Sequence, residues 1–370
     1  MPELMGVTGA AGCVLAAGAA AGLIGRSSNQ PAADWSGEAG VRSLAGWLVV
    51  LVFIHHASIW LQYLQRGAWS LPDSRLHLQL GQCSVVLLLM ALGYVLASHA
   101  LTIRSLEAWN ALCKSALKQF AWPYWLSVAG LFCVVGMQTG GIPRSPPQDL
   151  VKDMLRWLGF GLMGTPDLNR FESTWLVMAG STWITAYAVI PFALLPLFLL
   201  VRVKLVMPAG LAASSLALLW IAFNPVHGVA MAAVATGAAA RLLMGISSLR
   251  RVLCGPVAAA CAIALPALAA YVLASAYDWR AIALLATSML VVGSGNTLFG
   301  LLSAKPSLVL GRASPAVYLL HGLFLYLGTR VFASAASIAP LHFWAGMLLL
   351  TPLLIATGWL VAGVLSRSRG

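Results

Sequence analysis

Residues 42–58 read RSLAGWLVVLVFIHHAS, and this stretch decides the fold class. No Asp, Glu, Lys or Arg interrupts the chain between Arg42 and Arg66, which is long enough for a helix to cross a hydrocarbon core ~30 Å thick. The run lacks the strict alternation of a barrel strand, and in lipid a helix satisfies its backbone hydrogen bonds internally. The stretch therefore predicts a transmembrane α-helix.

Similar apolar runs recur over the whole chain. Hydrophobic residues make up 60% of it and charged residues only 9%, whereas about a quarter of the residues in soluble domains are charged, so a water-soluble protein is excluded. The predicted spans are ten, near residues 41–63, 77–100, 119–138, 174–201, 203–223, 226–246, 253–275, 281–303, 314–335 and 341–365. The predicted fold class is all-α, a polytopic transmembrane helix bundle.

The basic residues indicate the orientation of this bundle. The net charge is +12, but the basic side chains lie in short connections between apolar spans, a pattern that reports membrane topology rather than nucleic-acid binding. They are more numerous on the side of Arg42, which includes the pairs Arg202/Lys204 and Arg250/Arg251. We therefore predict that both ends of the bundle are cytoplasmic. The six cysteines are scattered without zinc-binding spacing, so no metal site is predicted.

The composition divides the chain into two parts. Residues 1–40 form an Ala/Gly-rich extension and linker, and residues 41–370 form the transmembrane domain. No basic residue precedes the apolar stretch 5–25, so it lacks the charged start of a secretory signal. The stretch is compatible with an additional helix, a re-entrant segment or a poorly ordered tail.

Two adjacent histidines, His55 and His56, lie deep in the first long span. A functional role is the first hypothesis, because polar groups in hydrocarbon need partners or water; the alternative is a ring that bonds a backbone carbonyl and only packs. At about 100° per residue, His56 shares the face of Arg42 and lies about 21 Å from it along the axis, whereas His55 lies on another face. We place Arg42 at the cytoplasmic rim and His56 inside the membrane.

A third intramembrane histidine, His321, occurs in residues 310–326, LGRASPAVYLLHGLFLY. Pro315 is tolerated in the first turn of a helix, and Ser314 before it is a plausible N-cap. His321 would then lie on nearly the same face as Ser314, about 10 Å further along the axis. It is placed to reach an interior cavity.

Both histidine segments resemble one family. Residues 310–326 resemble the Leu-Gly-x-x-Ser-Tyr-x-x-Tyr-Leu-x-His signature of the acyltransferase 3 family of integral membrane O-acyltransferases, and residues 42–56 resemble the Arg-to-His opening helix of that family. Weaker similarities are found at residues 93–98 and 123–125. A longer Arg-to-His spacing, and Pro315 where the family has Tyr, mark a divergent member.

The resemblance implies an enzyme of the bacterial inner membrane that moves an acyl group, commonly acetyl from cytoplasmic acetyl-CoA, to hydroxyls of an extracytoplasmic glycan or polysaccharide. In such chemistry an uncharged imidazole removes the hydroxyl proton or itself accepts the acyl group. The catalytic candidates are His56, His55, Arg42 and His321. Of these, His56 is the preferred base or acyl carrier, and His321 is a second polar anchor.

The substrate-binding candidates follow from the same resemblance. Phosphates of the acyl-CoA co-substrate call for basic residues at the cytoplasmic mouth, although these residues also suit simple positive-inside anchoring. The candidates are Arg42, Lys114, Lys118, Lys305 and Arg312. Aromatic rings and carboxylates suit a glycan on the outer side, and the alternative there is an ordinary interfacial tryptophan belt. These candidates are Trp157, Asp167, Glu172 and Trp175.

Two other classes of protein remain open from the sequence. Buried histidines and Gly-interrupted spans such as residues 291–296 also suit a solute or proton transporter. A non-catalytic membrane subunit of a polysaccharide export or modification machine is a further alternative. For the acyltransferase interpretation, the expected partners are a glycan or polysaccharide acceptor, the lipid bilayer and a separate periplasmic or polysaccharide-synthesis protein; nucleic acid is not expected.

Overall fold

The architecture is helical throughout the described part of the chain. The structure is a computed structural model, and it describes residues 2–27, 35–103, 105–187, 189, 225–332 and 339–367. Within these ranges no strand forms, and an isolated bridge joins Leu168 to Phe171. The all-α prediction is therefore confirmed for the described residues.

Twelve α-helices are found among the described residues. Their bounds are α1 Pro2–Ser27, α2 Gly37–Arg66, α3 Arg75–Thr102, α4 Leu106–Ala116, α5 Trp122–Gln138, α6 Pro147–Leu158, α7 Pro225–Leu243, α8 Ser247–Leu253, α9 Pro256–Val272, α10 Trp279–Gly293, α11 Lys305–Phe332 and α12 Pro340–Arg367. A π-helical segment, Leu117–Ala121, joins α4 to α5.

Six helices of the described part are long and apolar enough to cross a membrane. They are α1, α2, α3, the continuous α4–α5 segment, α11 and α12. The pair α7 and α8 passes the same test but bends by 109° at its break, and α9 and α10 are shorter apolar helices. By length and composition these helices support a helical membrane protein, but the predicted count of ten and the predicted cytoplasmic location of both ends are not confirmed. The predicted span 203–223, and most of the span 174–201, lie outside the described residues.

The predicted helix start at residue 174 is wrong. Thr174–Met178 and Ser181–Ile184 are two short 3-10 turns. Ser173 and Ala179 have φ of 57° and 51°, in the left-handed region that an α-helix of L-residues does not tolerate. The apolar pattern alone could not reveal these backbone reversals.

The predicted helix start at Ser314 is also wrong. The helix α11 begins at Lys305, so Pro315 lies inside it. Proline has no N–H to donate to the carbonyl four residues earlier, and the Ser314 hydroxyl donates to that carbonyl, Gly311 O, at 2.9 Å instead. This replacement hydrogen bond allows the helix to continue through the proline.

The predicted span 281–303 is shorter than expected, because α10 ends at Gly293. The chain turns through residues 294–304, where Gly295 and Gly300 have positive φ. Asn296 stabilises the turn, since its side-chain amide donates to the carbonyls of Leu253 and Gly255 at 3.0 and 3.1 Å.

The apolar stretch 5–25 forms the helix α1. Of the three structures open to it from sequence, the helix is the one observed, and it packs against α11 and α12. Its small side chains Cys13, Ala17 and Ala21 are fully buried along this contact. The extension thus adds a helix to the side of the bundle formed by the last two helices.

Glycines allow the central helices to approach closely. The helix α2 packs between α3 and α11, and α3 packs on α7. Gly311 lies against the backbone of Arg42, and Gly237 lies against the backbone of Met90. Small residues at helix contacts are the usual means of close packing in membranes, and here they fix which residues of α2 face α11.

Candidate functional site

The contact between α2 and α11 brings His56 against His321. His56 Nδ1 lies 2.8 Å from His321 Nε2, and the two imidazoles stack with centroids 5.0 Å apart at 13°. His321 is fully buried, and His56 is half-buried. The two candidates from distant parts of the sequence therefore form one hydrogen-bonded pair.

The partner of His321 defines the direction of this hydrogen bond. His321 Nδ1 is bonded to the carbonyl oxygen of Tyr318, and a carbonyl only accepts, so Nδ1 carries the hydrogen. In an uncharged ring Nε2 is then the acceptor, and His56 Nδ1 must donate to it. The remaining nitrogen of His56, Nε2, carries the lone pair and has no hydrogen-bond partner among the described residues. Nε2 of His56 is the nitrogen available to take a proton.

The neighbouring histidine, His55, points to a different helix. Its Nδ1 donates to the carbonyl of His77 on α3 at 2.8 Å, and its ring packs against Gly81. Its ring centroid is 5.2 Å from that of His56. His55 therefore bonds a backbone carbonyl and fixes the α2–α3 contact, whereas His56 faces α11.

Arg42 does not reach the histidine pair. It forms an ion pair with Glu38 one turn earlier, at 2.7 Å, and about half of its side chain is exposed. It lies about 21 Å along α2 from His56. The structure thus separates Arg42 from the other catalytic candidates.

The remaining basic candidates are not gathered into one site. Lys114 is exposed on α4, and Lys305 is exposed at the start of α11. The Arg312 guanidinium lies 4.9 Å from the ring centre of Trp359. The side chain of Lys118 lies outside the described part of the structure.

A pocket of about 350 Å³ opens at the end of the bundle where α2 begins. Its lining includes Glu38, His99, Arg241 and Arg250. The signal for Arg241 in the sequence was a single charge within the otherwise apolar predicted span 226–246. We refer to this site as the arginine pocket.

Two of the predicted outer-side residues stabilise the loop between α6, which ends at Leu158, and the 3-10 turn that begins at Thr174. Trp157 is fully buried, and its indole donates to the carbonyl of Pro166 at 2.9 Å. Asp167 accepts from the backbone N–H of Thr174 at 3.1 Å. Glu172 is exposed. These positions make Trp157 and Asp167 structural residues of the loop.

The fourth outer residue, Trp175, belongs to an aromatic cluster that the sequence analysis missed. Its ring packs edge-on against Trp69, which packs in the same way against Trp60. Trp60 also contacts Tyr326 on α11. Because Trp60 follows His56 by one helical turn, the cluster lies next to the histidine pair on the side away from Arg42. That four-residue spacing was the signal available in the sequence.

Within this cluster, the indole N–H of Trp60 is a buried hydrogen-bond donor without an acceptor among the described residues. The side chain of Trp60 is 3% exposed. Buried donors are normally paired, so each exception invites a ligand or water. An incoming hydroxyl group would satisfy it.

Comparison with known proteins gives no further information. No protein-family model, no curated protein and no solved structure matches this chain. Within the described residues, no group of three or more His, Cys, Asp or Glu side chains is arranged to hold a metal ion.

Proposed function

We propose that this chain is a membrane O-acyltransferase similar to the acyltransferase 3 family, and that it moves an acyl group, in the first place acetyl, from acyl-CoA to a hydroxyl of an extracytoplasmic glycan. The observation that supports this most directly is the hydrogen-bonded pair of His56 and His321. A base whose second nitrogen is oriented by another group is the recurring arrangement in acyl transfer.

In the proposed reaction His56 Nε2 takes the proton of the acceptor hydroxyl as the oxygen attacks the thioester carbonyl. The new C–O ester bond forms, the C–S bond breaks, and the thiolate of CoA leaves with the electron pair. His56 returns its proton to that thiolate, so the products are the glycan ester and CoA thiol. His321 holds the His56 ring in the required tautomer through its own bond to Tyr318.

The aromatic cluster supports a sugar as acceptor. The rings of Trp69 and Trp175, which are only partly buried, provide apolar faces against which the C–H faces of a sugar stack. The unpaired indole N–H of Trp60 offers a hydrogen bond to a hydroxyl. Aromatic rings with a few convergent polar groups are typical of ligand sites.

The test is a transfer assay with a histidine series. Purified protein in lipid nanodiscs receives labelled acetyl-CoA with glucan and peptidoglycan oligosaccharides, and the label in glycan and in free acetate is counted. His56→Ala should reduce both by about 10²–10⁴-fold, the usual contribution of a general base. The matched control is His342→Ala, because His342 is exposed at the start of α12.

Equal transfer by His56→Ala and the wild type would overturn the proposal. A transporter would instead accumulate solute in sealed vesicles and leave the acetyl-CoA intact. Correct folding of each variant is checked by its size-exclusion profile and by its thermal unfolding midpoint in detergent. Only a variant with both unchanged counts as a test.

A further inference from the structure

The residues that line the arginine pocket take no part in the proposed reaction at His56 and His321. We propose that it binds a phosphate group through the guanidinium groups of Arg241 and Arg250. The pocket lies beside Glu38, eighteen residues before His56 and about 27 Å from it along α2. It is therefore a separate site, and its ligand can be measured without turnover.

Arg241 is the first argument for an anionic ligand. It is the one charged residue of the apolar helix α7, and its Nε donates to the Ser98 hydroxyl at 2.9 Å. No carboxylate of the described residues lies within 4.0 Å of it. Arg241 lies in the last turn of α7 and lines the pocket, so an anion bound there would compensate its charge.

Arg250 is the second argument. It comes from α8, on the far side of the sharp bend that follows α7, and its Nε donates to the carbonyl of Ser294 at 3.1 Å. Each guanidinium is thus anchored by Nε, and its two terminal nitrogens make no hydrogen bond within the described residues. Terminal nitrogens of anchored guanidinium groups are the usual phosphate ligands, since they donate two parallel hydrogen bonds.

The start of α2 adds to the positive potential. Ser36 caps the helix by accepting from Ala39, and Gly37 and Glu38 line the pocket with it. The N–H groups of Gly37 and Glu38, which precede the capped Ala39, have no acceptor one turn earlier in the helix, and the positive end of the helix dipole lies there. The carboxylate of Glu38 is the opposing charge, but it is paired with Arg42.

Two sources can supply the phosphate. One is a soluble nucleotide-type compound such as coenzyme A, and the other is the headgroup of an anionic phospholipid. A volume of about 350 Å³ is at the lower end of the range for small-molecule sites, which suits a phosphate or diphosphate rather than a whole nucleotide. The chemistry of recognition is the same for both sources.

The experiment measures binding by the full-length protein. Calorimetric titration in neutral detergent uses coenzyme A and inorganic pyrophosphate, and nanodiscs with and without phosphatidylglycerol test the lipid source through the thermal unfolding midpoint. Arg241→Gln and Arg250→Gln should each weaken binding about tenfold, because each removes charge-assisted hydrogen bonds. Arg251→Gln is the matched control, since Arg251 is adjacent, exposed and absent from the pocket lining.

A variant that binds phosphate more tightly serves as a control for misfolding, because a misfolded protein would not gain affinity. Glu38→Gln removes the negative charge from the pocket, so phosphate binding should tighten about threefold. Binding of coenzyme A and pyrophosphate supports a soluble ligand, and stabilisation only by phosphatidylglycerol supports a lipid headgroup. The proposal is overturned if no probe binds, or if Arg251→Gln weakens binding as much as Arg250→Gln does. The coenzyme A outcome rests on the proposed transferase function, but binding is measured without turnover, so a failure to bind is distinguishable from a failure of acetyl transfer by His56.

Discussion

The helix α2 contributes residues to both the histidine pair and the arginine pocket, but the two sites differ in how they accommodate charge. At His56 and His321, one hydrogen bond joins two imidazoles, and the more deeply buried ring, that of His321, donates to the backbone carbonyl of Tyr318. At Arg241 and Arg250, permanent charges are anchored to a hydroxyl and a carbonyl at the rim of an open pocket. Groups that can be neutral are therefore buried, and groups that cannot be neutral remain next to water.

The largest expected effect comes from placing a charge in the buried pair. In His321→Lys an ammonium replaces a side chain that is fully buried, and an unpaired buried charge costs about 3–5 kcal/mol. We expect loss of the monodisperse peak in size-exclusion chromatography. Arg241→Met removes a charge from the pocket rim and should leave that peak intact. A stable His321→Lys protein would contradict the comparison.

A smaller effect is expected from crowding the other histidine. In Gly81→Ala the added methyl group meets the ring of His55, with Nδ1 at 2.5 Å, so the ring must move. Overpacking of this kind costs about 1–3 kcal/mol, which should lower the unfolding midpoint in detergent. In Gly136→Ala the new methyl group meets nothing within 4 Å, and the midpoint should rise slightly. Equal shifts in the two variants would contradict the described α2–α3 contact.

Substitutions of His55 and of His56 should have different effects on acetyl transfer. His55→Leu removes the hydrogen bond to the His77 carbonyl, which stabilises the fold by about 1 kcal/mol. We expect a modest decrease in the unfolding midpoint and retention of acetyl transfer, in contrast to His56→Ala. Loss of transfer in a folded His55→Leu protein would show that both histidines take part in the chemistry.

The smallest effect concerns a surface carboxylate outside the buried region. Arg280 lowers the pKa of Asp278 from its ordinary 3.8 to about 2 through hydrogen bonds, and Asp278 also caps α10. A lowered folded-state pKa stabilises the protein above pH 3.8, and this contribution disappears as the pH falls towards 2. Asp278→Ala should therefore lower the unfolding midpoint slightly at pH 7. The difference from the wild type should shrink as the pH is lowered towards 2; a constant difference would contradict this role.

The long uninterrupted helices were predictable because an apolar run in lipid satisfies its backbone hydrogen bonds by forming a helix. The helices α2, α3 and α12 end within a few residues of the predicted bounds. Errors arose where backbone details override the apolar pattern, as at Ser173 and Ala179 with positive φ, and at Pro315 inside α11. Such details depend on local hydrogen bonds that hydropathy does not record.

The sequence by itself determined that this chain is an apolar helical protein with histidines at membrane depth, because composition and run length leave no other way to satisfy the backbone. Only the tertiary structure decided which histidine faces His321, and which arginines share a pocket. The contact of His56 with His321 and that of Arg241 with Ser98 each join residues more than a hundred positions apart. Their geometry depends on how closely the helices approach at glycines such as Gly311, a distance that no local pattern encodes.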